Sequence, residues 1–141
     1  MPRYMIQVRA TAMSEAGDFP DDPTLVPRMM AFHDEMAKAG VLLDGAGLQP
    51  SSQGFRVQYD AAGQANIMDG PFAETKELIA GYTLIQVRNR AEALEWSRRF
   101  PNPVGENKPA EIEVRQLYEM EDFKDIASPE QIERFKEMGM E

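Results

Sequence analysis

Two stretches of strict alternation restrict the possible folds more than anything else in this chain. Tyr4, Ile6 and Val8 alternate with Met5, Gln7 and Arg9, and Thr83, Ile85 and Val87 alternate with Tyr82, Leu84 and Gln86. Period two marks β-strands, whose successive side chains point to opposite faces. Large side chains occupy both sets in each stretch, so a sheet built from them has two faces to cover. Two longer helical patterns are available. In one, Thr24 precedes Leu25, Met29, Phe32 and Met36, spaced four, three and four apart, with Pro27 in the first turn and Gly40 as the stop. The other runs over residues 91–100, with Ala93, Leu94, Trp96, Ser97 and Phe100, and Pro101 beyond it. Two helices cover one face. A second copy of the chain, related by a twofold axis, is the simplest cover for the other.

The remaining segments complete the architecture. Residues 11–23, rich in Gly, Pro, Asp and Ser, read as a surface loop. Val41, Leu42 and Leu43 begin a strand that Asp44-Gly45-Ala46-Gly47 is expected to break. Phe55, Val57 and Tyr59 lead through the turn at residues 60–63 into a second hairpin arm at residues 65–68, and Ile112, Val114, Gln116 and Tyr118 form the last strand. The order is strand, helix, strand, hairpin, strand, helix, strand. This predicts an α+β fold: a ferredoxin-like, mostly antiparallel sheet with two helices on one face, and a homodimer formed through the other.

Charge divides the chain. Lys and Arg number 15 against 24 Asp and Glu, a net of −9 over 141 residues. Residues 119–141 hold eight acids and three bases, so −5 of that charge lies in the tail and −4 in residues 1–118. We read residues 1–118 as the domain and residues 119–141 as an acidic extension carrying a short amphipathic helix. Ser128-Pro129-Glu130-Gln131 has the form of a capping box, and Ile132, Phe135 and Met138 supply an apolar side that should dock. An acidic chain lacks the clustered cations that nucleic acid demands. The N-terminal residues contain no apolar run suited to a secretory signal or a membrane span. The absence of cysteine fits a cytoplasmic protein.

The most specific string lies at residues 69–77, Asp-Gly-Pro-Phe-Ala-Glu-Thr-Lys-Glu, directly before Leu78-Ile79-Ala80-Gly81-Tyr82. With Ala39-Gly40-Val41-Leu42-Leu43, Gly47-Leu48-Gln49-Pro50, Ala93-Leu94-Glu95-Trp96 and Glu113-Val114-Arg115, it resembles the YCII-related family, in the subgroup named for its DGPF motif, over roughly residues 3–119. The resemblance implies a ferredoxin-like α+β fold pairing as a dimeric α/β barrel. It implies no settled reaction, because the wider superfamily hosts several chemistries and pure binders. The histidine proposed as catalytic in the wider family sits early in the first helix, where residues 24–27 contain none, and Ala46 stands where the subgroup often has glutamate.

A turn accounts for part of the motif: Asp69 as an Asx turn, Gly70 for an unusual backbone angle, Pro71 for stiffness and Phe72 as a plug into the core. Glu74, Lys76 and Glu77 form a charged group beyond it that a turn does not require. The functional reading makes Asp69 or Glu77 a proton acceptor, Lys76 or Arg56 an anion holder, and Tyr82 and Phe72 pocket walls. His33, the single histidine, is a weaker catalytic candidate. It falls two turns into a helix that should lie behind the sheet from a pocket enclosed between two sheets. Arg9, Arg56 and Arg115 fall in strands and on the plainer reading serve at a sheet edge or in cross-strand ion pairs. Histidine or cysteine clusters, a P-loop, Gly-x-Gly-x-x-Gly and Gly-x-Ser-x-Gly are all missing, which sets aside metal, nucleotide and serine-hydrolase chemistry. The expectation is a cofactor-independent small-molecule-binding homodimer, with proton transfer or elimination on a small organic acid as its chemistry if it is an enzyme. The alternative is an interaction module, since relatives of the family resemble accessory domains of sigma factors and the acidic tail suits a basic partner.

Overall fold

The computed structural model describes residues 1–140, and the last residue of the acidic extension, Glu141, lies outside them. Strand β1 (Arg3–Arg9) is followed by a short helix α1 (Ala12–Glu15), the long helix α2 (Leu25–Lys38) and strand β2 (Leu42–Gly47). Strands β3 (Phe55–Tyr59) and β4 (Ala65–Asp69) form a hairpin. Then come β5 (Ile79–Gln86), α3 (Arg90–Arg98), β6 (Ile112–Gln116) and, in the tail, α4 (Pro129–Glu137). The main sheet runs β2-β5-β1-β6, antiparallel throughout, and β3-β4 is a separate two-stranded sheet. This is the α+β, ferredoxin-like arrangement that the alternating strands predict.

The alternation sorts the faces as expected. Tyr4 and Ile6 of β1, and Thr83, Ile85 and Val87 on the β5 side, are buried beneath Phe32, Met36 and Ala93, with Trp96 and Phe100 packed at the margin. Phe32 meets the Trp96 and Phe100 rings edge to face at 5.8 and 5.7 Å. On the opposite face Met5, Gln7, Tyr82, Leu84 and Gln86 remain half-buried.

Three local expectations change. The glycines at 45 and 47 do not break β2, which bulges between Leu42 and Asp44 and then pairs on, Gly45 opposite Thr83 and Gly47 opposite Gly81. Small residues permit this close pairing, since a Cβ on Gly81 would lie 2.9 Å from the Ala46 carbonyl oxygen. The loop at 11–23 contains α1, capped by Thr11 and Ser14 in a reciprocal box. Thr24 does not cap α2 with its side chain; Asp22 instead accepts from the Thr24 N–H (2.9 Å) and hydroxyl (2.7 Å).

In the tail the capping box at Ser128 and Gln131 forms as read. Helix α4 packs on the 3₁₀ turn at Met120–Phe123, where Lys136 pairs with Glu121, and Arg3 holds Glu119 at 3.0 Å. Its apolar side docks only in part, because Ile132 is half-buried but Phe135 and Met138 stay exposed. No helix of the described residues is long and apolar enough to cross a membrane.

Candidate functional site

The DGPF segment is built as a joint between the hairpin and the rest of the chain. Asp69 ends β4 opposite Phe55, an exposed strand residue rather than the start of an Asx turn. Gly70 has no positive φ, so conformational freedom is not why glycine stands there. Space is the reason. A Cβ at this position would lie 1.8 Å from the backbone oxygen of Ser51. The Gly70 N–H donates to Gly54 O at 3.0 Å and the Phe72 N–H to Ser51 Oγ at 3.0 Å, while Glu15 accepts from both the N–H and the hydroxyl of Ser51. Phe72 lies outside the main core and carries the Arg56 guanidinium 3.8 Å above its ring, a cation–π stack. Lys76 and Glu77 occupy an exposed 3₁₀ turn, and the Lys76 carbonyl accepts from Arg9. Arg9 also pairs with Glu113 at 3.0 Å across the β1-β6 pairing, the cross-strand role expected of it, whereas Arg115 reaches Glu113 at 3.4 Å along its own strand and stays exposed at the sheet edge.

A cleft of about 1110 Å³ lies elsewhere, between the first half of α2, the β2-β5 edge and the loops at 11–20 and 100–104. Its walls are mostly apolar and include Leu25, Met29, Leu42, Phe100 and Val104. His33, Thr83 and Tyr82 line it, whereas Arg56, Asp69, Phe72, Lys76 and Glu77 are not among its lining residues. Of the expected site residues the structure brings His33 into this cleft, while Tyr82 borders it from β5 with its side chain on the sheet face away from the helices. The hollow is on the helix side, not between sheets, so the expectation that the helix layer removes His33 from any pocket does not apply to it.

At the floor His33 Nδ1 is 2.8 Å from Met29 O and Nε2 is 2.9 Å from Thr83 Oγ1. The Phe100 ring stands edge-on at 5.9 Å from the imidazole. The alternation alone marks Thr83 as one of three residues on a strand face; the signal for its role is that a hydroxyl amid Ile85 and Val87 needs a buried partner, which a histidine beside Met29 on the facing helix supplies. At the other side of the edge strand the Tyr82 hydroxyl donates to Asp44 Oδ2 at 3.3 Å. The neighbouring Asp44 carboxylate raises the phenol above its ordinary value, first by its charge and then by accepting that bond, so Tyr82 serves as a proton-bearing donor.

Asp22 braces the loops on either side of the mouth. Besides Thr24, it holds Arg28 at 2.8 Å and accepts weakly from the Glu106 N–H at 3.4 Å. These bonds, the Thr24 hydroxyl foremost and its N–H next, with lesser help from Arg28, lower the Asp22 carboxyl from 3.8 to about 2. A folded value below the unfolded one stabilises the fold above the unfolded value, and the contribution disappears as pH falls through the folded value. The contribution of Asp22 should therefore be complete above pH 3.8 and vanish as pH falls toward about 2. Asp22→Asn should lower thermal stability near neutrality and flatten that acid limb, measured by circular dichroism melts from pH 6 to about 2. An unchanged acid limb would remove this role. Among the described residues no group of three His, Cys, Asp or Glu gathers to hold a metal.

A family profile described as the YCII-related domain matches residues 3–121. The chain is also 32% identical over 98 residues to an uncharacterized protein of Rhizobium meliloti (strain 1021), an alignment that covers 70% of this chain and 78% of that one. The chain belongs to the YCII-related family.

Proposed function

We propose that this YCII-related chain is a cytoplasmic homodimer that binds a small, mostly apolar organic molecule in the helix-side cleft. The observation carrying the reading is the cleft, a hollow of about 1110 Å³ with apolar walls and one hydrogen-bonded polar pair on its floor. Proton transfer without a cofactor falls in this reading to His33, the imidazole being the side chain suited to it in that lining. Asp69 and Glu77 then act no closer than the hairpin joint and the exposed turn, Arg56 and Phe72 stack on each other, and Lys76 stays on the exposed turn. Support for the dimer comes from the hairpin, whose Phe55, Val57, Tyr59 and Ile67 share one exposed face, and from the sheet face that lacks helices.

The test is protein-observed NMR on the isotope-labelled chain titrated with one- and two-ring organic fragments. Binders should shift the His33 and Thr83 resonances, lose their affinity in Leu25→Trp, which fills the cleft, and keep it in Asp69→Asn. Fragments that bind Leu25→Trp undiminished, or that need Asp69, would overturn the assignment.

A second reading, an interaction module, rests on the tail, where Ile126, Phe135 and Met138 are exposed beside acidic residues. Its partner would be basic, and the family's resemblance to accessory domains of sigma factors would place that partner in transcription. Truncation after Tyr118 separates the two readings, since fragment binding should survive it and capture of a basic protein should not.

A further inference from the structure

We propose that the cleft selects, among apolar molecules, those that present a hydrogen-bond donor such as a phenol or alcohol hydroxyl, with Thr83 Oγ1 as the acceptor. The inference rests on the cleft-binding reading above and adds the polarity of the ligand's one polar contact. It follows from which atoms must carry the protons. A backbone carbonyl only accepts, so His33 Nδ1, 2.8 Å from Met29 O, bears the hydrogen. In the neutral ring Nε2 is then left with its lone pair. The hydroxyl 2.9 Å away must be the donor, and Thr83 Oγ1 gives its only proton to His33.

What remains on Thr83 Oγ1 is lone pairs, on a residue 4% exposed that borders the cleft. No other hydrogen bond among the described residues reaches that oxygen. A ligand hydroxyl can donate to it; an ether or carbonyl oxygen placed there meets lone pair against lone pair. The competing polar groups of the lining are occupied or at the rim. Asp44, itself exposed, accepts from Tyr82 and from the Gly45 N–H, Thr11 and Ser14 bond each other, Arg9 is tied to Glu113 and Lys76, and Asp18 and Gln49 are exposed. The donor thus forms a chain with the ligand hydroxyl, Thr83 and His33 in line, along which a proton leaving the ligand would have a route to Nε2.

The probes are thymol and its methyl ether, which differ by the donor. Titrated calorimetrically against the full chain, thymol should bind about tenfold or more tightly than the ether, the discrimination expected when a site built for a hydroxyl meets an analogue without one. Thr83→Val should abolish the preference, with thymol losing its advantage over the ether, while Thr83→Ser should retain it. Equal binding of both probes, displaced by Leu25→Trp, would overturn the selection and leave the cleft standing. Binding of neither would overturn the cleft and the selection together. Independently of any ligand, ¹⁵N NMR of the His33 ring should find the proton on Nδ1, and an Nε2–H tautomer would overturn the argument.

Discussion

Gly70→Ala should destabilise the chain more than any exposed substitution, by about 3 kcal/mol or more. The added Cβ would meet the Ser51 carbonyl oxygen at 1.8 Å and its carbon at 2.6 Å, both backbone atoms. No rotamer change relieves such a clash, so the turn at Ser51–Gln53 must move. Moving it strains the Gly70–Gly54 and Phe72–Ser51 hydrogen bonds and the two from Ser51 to Glu15. Each such bond contributes roughly 1 kcal/mol. Thermal melting should fall by on the order of 10 °C for a chain of this length. Gly54→Ala is the matched control, because its Cβ would sit 3.6 Å from the same Ser51 oxygen, an ordinary contact. It should cost under about 1 kcal/mol. Equal melting temperatures for the two variants would show that the joint yields freely.

Ile67→Asp should dissociate the proposed dimer while sparing the monomer's fold. Ile67 is 61% exposed in the single chain, and its face-mates Phe55 and Tyr59 are 62% and 78% exposed. A two-stranded hairpin is marginal alone in water, and one that presents several large apolar side chains on one face calls for a cover. Facing solvent, an aspartate there costs little. Within an apolar interface its carboxylate would lose hydration without a partner, weakening association by about 3 kcal/mol or more, roughly a hundredfold in Kd. Sedimentation equilibrium reads this directly: the wild type should run at twice 15.9 kDa at micromolar concentration and the variant at 15.9 kDa. A wild-type chain that stays at 15.9 kDa, or a variant that dimerises as well as the wild type, would remove the dimer through this face.

The parts of the fold legible in the residues are those that local periodicity encodes. The buried set of Tyr4, Ile6, Thr83, Ile85 and Val87 and the helix stripe ending in Phe32 and Met36 could be read because each repeat spans one element. The course of β2 past Leu43 could not, because Asp44-Gly45-Ala46-Gly47 has the composition of a turn and becomes strand only through pairing with β5. The motif at residues 69–72 was visible as special, yet the reason for its glycine was not. That reason is the backbone of Ser51, brought against it by the hairpin.

Taken alone, the residue order determined the layers: which strands alternate, which helices are amphipathic, where the tail is capped, and the family. These follow from side chains a few positions apart, whose burial costs or gains free energy whatever lies far along the chain. Only the tertiary structure decided the cleft, whose lining runs from Val8 to Val104, and the bond between His33 and Thr83 across 50 positions. Periodicity places a side chain on a face. Which distant atom it meets there is set by the packing of whole elements, and at that distance the chemistry of the site begins.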